Sequence, residues 1–202
     1  MRRSNPFSHS WRLALPWLKG LGQSVAIAAL LAGSWAGYLR LTGNFHPIEN
    51  GVAYRSGQLS GDQFVYRIRV NSIRTIVNLR GSNPGRSWYD DEIKASTATG
   101  VVHIDFPISS GRELTDDQIV QLTTHLRTAA RPILIHCEAG ADRTGLTAAL
   151  YQLVIAGRST TEASQQLSFR YGHFPWLGSS TVAMDKTFDR VVARLNASGR
   201  GE

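Results

Sequence analysis

"ILIHCEAGADRTGLTAAL", residues 133–150, joins an apolar run, a loop holding the chain's one cysteine, and an apolar stretch that continues to Gly157. Read in order, these are a buried strand, a turn and a helix. The loop therefore opens at the carboxyl end of a strand, where open α/β sheets bind their ligands. The backbone N–H groups of residues 136–145 would converge there beside the positive end of the helix dipole, a site that favours an anion. Gly140 permits a close backbone approach, and Arg143 offers a planar fork for two phosphate oxygens. A thiol in such a field ionises readily. Cys137 is thus placed to attack phosphorus and form a phosphocysteine, with no metal or other cofactor required.

Outward from this stretch, strands and helices alternate. "VAYRS" reads as a short strand, and "SGDQFVYRIRV" as a helix capped by Ser60. "IRTIVNLR" is a buried strand ending at the loop 81–87, and a polar helix around Trp88–Thr99 leads to the strand "VVHIDF". "LTDDQIVQLTTHLRTAA" has Thr115 as N-cap, two carboxylates in its first turn, and Ile119, Leu122 and Leu126 at helical spacing. The strand "PILIH", a helix over 144–156, and helices around 160–170 and 181–196 complete the pattern. The expected fold is α/β, with a mainly parallel central sheet flanked by helices and preceded by an N-terminal hydrophobic helix.

At 202 residues there is room for one domain with a substantial core. The formal charge of +7 is concentrated at one end: Arg2, Arg3, Arg12, Lys19 and Arg40 supply +5 with no acidic residue among the first 40, leaving +2 on the rest. A nucleic-acid partner would need basic residues clustered on the folded domain, so none is expected. A single cysteine excludes an intramolecular disulfide and a multi-thiolate zinc site.

Residues 1–19 read as a basic leader and residues 20–41 as a transmembrane anchor or signal segment. From Gly20 to Leu39 there is no charge, and Ser34 and Ala36 resemble a signal cleavage site. The positive-inside rule keeps the leader in the cytoplasm and exports the domain beyond the apolar segment. The expected location is a bacterial inner membrane with the domain on the periplasmic side, or the periplasm after cleavage. The competing reading is a buried hairpin of apolar helices in a soluble protein. Residues 42–50, rich in turn formers, read as a linker to a domain over 51–196.

The loop resembles the H-C-x5-R-[ST] signature of the cysteine-based protein tyrosine phosphatases: His136, Cys137, Arg143 and Thr144 occupy its fixed positions, and Gly140 the usual glycine. The likeness is to the compact dual-specificity branch, including bacterial proteins whose loops read much like "HCKAGADRTG". It extends through "YRSGQLS", "TIVNLRG", "RELTDDQI" and "YGHFP", so the domain over 51–196 is expected to be a phosphatase domain. The resemblance implies that Cys137 is the nucleophile, that Arg143 binds phosphate and stabilises the transition state, and that Thr144 helps the thiolate leave. It implies that His136 orients the loop and favours the thiolate, and that Glu138, Ala139, Gly140, Ala141 and Asp142 wrap the phosphate with Arg143.

The general acid departs from the pattern. The family takes it from an aspartate roughly thirty residues before the cysteine, and there this chain reads "DFPISSGRELTDD", with serines at the expected place. Asp105, at the end of the strand "VVHIDF", is the first candidate, against the reading of a structural carboxylate. Asp116 and Asp117 read as helix-start residues, and Glu113 has no evident anchor. Arg80 and Arg112 stand where they could add positive charge at the pocket mouth.

Glu138 and Asp142 would repel a heavily phosphorylated inositol lipid. The leading substrate is a phosphorylated protein, phosphotyrosine or, in a shallow pocket, phosphoserine and phosphothreonine. A phospholipid of the phosphatidylglycerophosphate type at the membrane surface is the first alternative. A catalytically silent phosphate-binding module, with the acid lost, is another. Arsenate reduction calls on further cysteines, which this chain lacks.

Overall fold

A computed structural model of the chain describes residues 10–199. Arg2 and Arg3 of the leader lie outside the described residues. Contacts divide the chain into two units, residues 1–38 and 39–202.

The first unit holds most of α1 (Ser10–Leu41). Its stretch Gly20–Leu41 is long and apolar enough to cross a membrane, and Leu21, Val25, Ile27, Leu30 and Leu31 are exposed along it. A buried helical hairpin does not account for such a face.

The second unit is a five-stranded sheet flanked by helices. Its strands are β1 (His46–Glu49), β2 (Ala53–Ser56), β3 (Thr75–Asn78), β4 (Val102–Asp105) and β5 (Ile133–His136). They lie in the order β1-β2-β5-β3-β4, with β1 antiparallel to β2 and the other pairs parallel. The helices are α2 (Gly61–Asn71), α3 (Ser87–Thr99), α4 (Asp116–Thr128), α5 (Asp142–Leu150), α6 (Thr160–Ser164) and α7 (Val182–Ala197).

Successive residues of a strand point to opposite faces, and the core divides accordingly. Ile133, Ile135 and Val77 pack with Leu122, Leu126, Leu146 and Phe188 on one side. Leu134 and Ile76 pack with Phe64, Ile68 and Ala95 on the other. β5 is central and wholly buried, as its unbroken apolar run requires. Ser60 and Thr115 close capping boxes with Gln63 and Gln118 at the starts of α2 and α4, which satisfies amides that a helix end would otherwise leave open.

Two local differences from the sequence reading stand out. The stretch read as a linker contains β1, whose register with β2 breaks between Pro47 and Glu49; a short edge strand built on proline gives little alternation to read. The helix expected over 144–156 begins at Asp142 and relaxes at Tyr151–Ile155 into a π-helical turn. There the Tyr151 hydroxyl donates to Glu49 Oε2 at 2.7 Å.

Parallel register brings Ser56, His136, Asn78 and Asp105 to one level across four strands. The connections after these strands all leave from this carboxyl edge, and the site is built on it.

Candidate active site

β5 delivers His136 and Cys137 at its end, and α5 begins five residues later, so the loop 137–141 must reverse between them within a short arc. Gly140 has φ +73, and a Cβ there would stand 2.5 Å from Gly57 N and 2.6 Å from Ser56 C. No side chain fits. The close approach that glycine allows is therefore to the backbone after β2.

That backbone is part of a clamp around the loop. Gln58 N donates to Glu138 O at 2.8 Å. Asn44 Nδ2 donates to Ala139 O at 3.0 Å and to Tyr171 O at 2.9 Å. Arg55, fully buried on β2, gives Nη2 to Gly140 O at 2.8 Å and Nη1 to both oxygens of Gln166 at 2.7 and 2.8 Å. Its guanidinium lies over the Tyr171 ring at 3.8 Å. Burial pulls the Arg55 pKa down to about 10, so it remains a cation at neutral pH. The loop's carbonyls are thus turned outward to fixed donors. Among the described residues, the N–H groups of Glu138, Ala139, Gly140 and Ala141 donate to no backbone acceptor. Amides so disposed form an anion-binding concavity.

Cys137 is 2% exposed at the base of this concavity. Arg143, half-buried, rises from the first turn of α5 with Nη1 against Leu79 O at 3.4 Å. Thr144 is buried behind the loop, its hydroxyl 3.5 Å from Ser56 O. His136 is fixed by Glu92 on α3, with Nε2 2.7 Å from Oε1. Since a carboxylate only accepts, His136 Nε2 is the donor in this bond. Glu92 also receives His103 Nε2 at 2.8 Å and Gln58 Nε2 at 2.9 Å. Burial works to raise the Glu92 pKa, but the charge of His136 and three hydrogen bonds hold it at about 2.

Two expectations about charge are sharpened. Asp142 is bonded to His173, whose Nδ1 lies 2.7 Å from Oδ1 and whose Nε2 lies 3.0 Å from Asp185 Oδ2. Burial would lower the His173 pKa; the bonds and charges of both carboxylates overcome it, and the pKa is raised. Repulsion of a polyanion therefore rests on the exposed Glu138. Arg80 does belong to the pocket. It stacks on Trp88 at 3.4 Å and donates to Gln58 Oε1 at 2.8 Å. Burial lowers its pKa, and it senses Glu138, Arg143 and Cys137.

Three of the carboxylates considered as acids, Asp105, Glu113 and Asp116, are engaged elsewhere. Asp105 accepts from Tyr89 Oη at 2.5 Å and from Asn78 Nδ2 at 2.8 Å, two strands away from β5. Glu113 pairs with Arg190 at 2.8 Å and Asp116 with Arg194 at 2.6 Å. Ser109 is exposed and Ser110 half-buried in the loop after β4. Among the described residues, no group of three or more His, Cys, Asp or Glu side chains is arranged to hold a metal.

Sequence reasoning missed Asn44, Arg55, Gln58, Glu92 and His173. An arginine inside a strand that is otherwise apolar on that face was a readable signal at Arg55, because a buried cation needs acceptors. Asn44 and Glu92 act across 95 and 44 residues, and no local pattern marks such partners.

A family model described as "DSP-PTPase phosphatase fused to NAD+ Kinase" matches residues 44–183. The dual specificity protein phosphatase TpbA of Pseudomonas aeruginosa (strain UCBPP-PA14) is 26% identical over 171 residues, which cover 77% of this chain and 73% of that protein. The crystal structure of P. aeruginosa TpbA has TM-score 0.59 and 22% identity, covering 77% of this chain and 92% of that one. The catalytic core of the PP-IP phosphatase SIW14 from S. cerevisiae gives 0.55 at 20%, covering 76% and 93%. At those identities the two structures establish the fold. With the model spanning more than half of the chain and the signature loop intact, the chain belongs to the DSP-PTPase phosphatase family and is a cysteine-dependent, metal-independent phosphatase.

Proposed function

We propose that this chain hydrolyses phosphotyrosine on protein substrates by double displacement through Cys137. The observation that carries the reading is the loop itself, with four backbone N–H groups between Cys137 and Arg143 that no backbone acceptor takes up among the described residues. The Cys137 thiolate attacks phosphorus, an S–P bond forms, and the P–O bond to the tyrosine breaks. Arg143 and the loop amides hold the three equatorial oxygens as their charge grows. Water then attacks the phosphocysteine, releasing phosphate and the thiolate, whose departure Thr144 assists. The TpbA relative has been crystallised in complex with phosphotyrosine.

Preference for an aryl ester follows from the proton balance. A tyrosine phenol ionises near pH 10, so it departs with far less help than the alkoxide of serine. Asp105 has both oxygens committed to Tyr89 and Asn78, which supports a role in tying β4 to β3 and α3. A pocket without a positioned carboxylic acid favours the better leaving group.

We read α1 as an anchor or export signal placing the domain on the periplasmic side of a bacterial inner membrane; the exposed apolar face of Gly20–Leu41 supports this.

The test is turnover of p-nitrophenyl phosphate without added metal, compared with Cys137→Ser, followed by phosphotyrosine, phosphoserine and phospholipid substrates side by side. Turnover abolished by the substitution, with phosphotyrosine preferred, is the expected result. No wild-type turnover would favour a silent binding module, and phospholipid preference would replace the substrate assignment.

A further inference from the structure

The connection between the last two helices carries side chains that neither the fold nor the chemistry uses. From Ala163 to Met184 it holds no acidic residue. Trp176 is 58% and Leu177 94% exposed, and Phe174 and Phe169 are exposed beside them. Phe174 meets Trp176 edge to face at 4.8 Å between centroids, so the aromatic rings form one patch. Arg170 and Arg40 are exposed as well.

This segment is an arc between two loops of the carboxyl edge. At one end His173 bonds Asp142 of the phosphate loop. At the other, Ser180 lies against Gly111, with Oγ 3.1 Å from where a Cβ would stand. Trp176 and Leu177 occupy the middle, between the two loops that frame the active site.

The chain's own connectivity states what lies nearby. α1 ends at Leu41, and Asn44, three residues later, is buried with its amide on Ala139 O of the phosphate loop and on Tyr171 O of the arc. Three residues reach at most about 10 Å when extended. Leu39 is buried as well, a δ-methyl lying against Gly172. Whatever direction α1 takes from there, the end of a membrane-length apolar helix is tied within a few residues to both the loop and the arc. An exposed tryptophan and leucine, in a segment that carries Arg170 and no carboxylate of its own, match the lipid-water interface of an anionic membrane.

From this juxtaposition we infer that the arc 174–177 docks on the lipid bilayer, inserting Trp176 and Leu177 among the headgroups and holding the active site against the membrane surface. The inference rests on α1 acting as an anchor and is independent of which phosphate ester is cleaved. Substrates would then be phosphate groups presented at the bilayer surface, with soluble ones reaching the pocket less readily.

The experiment uses the full chain in vesicles of phosphatidylethanolamine and phosphatidylglycerol. In a Cys137→Ser background, a single environment-sensitive fluorophore is attached at Leu177→Cys or, as a distant exposed control on α4, at Thr124→Cys. Lipids bearing a nitroxide near the headgroup are expected to quench the label at 177 several-fold more strongly than the label at 124, with a blue-shifted emission at 177 only. Equal quenching at the two positions would overturn the inference. So would a label at 177 that lipid leaves in water and that only a phosphoprotein shields, since the arc would then be a protein-docking surface. Leu177→Ser with Cys137 intact checks the fold: turnover of p-nitrophenyl phosphate in detergent should be unchanged, while quenching of a label at Trp176→Cys in the Leu177→Ser, Cys137→Ser chain should fall. Unreduced quenching there would also count against insertion.

Discussion

Two loops leave the same edge of the sheet, and their construction differs. The loop after β5 is held on every side, by Arg55, Asn44, Gln58 and the Asp142–His173 pair. The loop after β4 holds serines, and the carboxylates at its two ends, Asp105 and Glu113, are spent on Tyr89, Asn78 and Arg190. Phosphate binding and nucleophilic attack need rigid geometry, which long-range hydrogen bonds to loop carbonyls supply. Proton donation needs one mobile carboxylic acid, whereas Asp105, Glu113 and Asp116 are bonded to structural partners. On the proposed reading, the two halves of the reaction are built to different standards.

The largest expected effect tests the rigid half. Gly140→Ala places a methyl 2.5 Å from Gly57 N at a positive φ, so the loop cannot keep its path; activity should be lost together with phosphate-analogue binding in calorimetry. Arg143→Ala, which leaves the loop's path intact, should lower kcat by about 10² to 10³ through loss of transition-state donors. A fall of less than tenfold, measured with an aryl phosphate, would remove Arg143 from that role.

The second loop gives a smaller effect with a sharper meaning. Asp105→Asn should lower kcat by less than about tenfold, because removing a true general acid costs about 10² to 10⁴. A loss in that upper range, confined to substrates with poor leaving groups, would restore Asp105 as the proton donor. Glu92→Gln keeps the shape but removes the charge that orders His136, His103 and Gln58. Chemical denaturation should show a loss of about 1 to 3 kcal/mol, the cost of buried polar groups left without proper partners.

The smallest effect is a pH dependence. His173 has a raised pKa between Asp142 and Asp185. Its stabilisation is therefore fully present below its unfolded value of 6.5 and is lost as pH rises through the higher folded value. The melting temperature should fall as pH rises above 6.5 through that interval, and His173→Gln should flatten the fall. A wild-type profile that rises there would contradict a protonated His173 clamp.

How much of this was legible depended on distance along the chain. The strand and loop over 133–141, the presence of a helix after them, and the caps at Ser60 and Thr115 rest on contacts between residues a few positions apart and were legible, whereas the start of that helix and its π-helical turn were not. Asp142 and Asp105 were visible as carboxylates near the loop, yet their partners His173, Tyr89 and Asn78 come from other elements, so their charge state could not be read. Asn44 was hidden more deeply. Its stretch looked like a linker because turn formers dominate it, whereas the structure uses those residues to bring one amide onto the phosphate loop. The serines at 109 and 110, where the resemblance would place an acid, were legible in the sequence, and the proposed substrate preference turns on them.

The most direct test of covalent catalysis by Cys137 is acid-quenched turnover of p-nitrophenyl phosphate followed by peptide mass spectrometry. One added phosphoryl group is expected on the peptide containing Cys137 during steady-state turnover, absent from Cys137→Ser. Turnover with no phosphoryl group on Cys137, or with activity surviving Cys137→Ser, would contradict it.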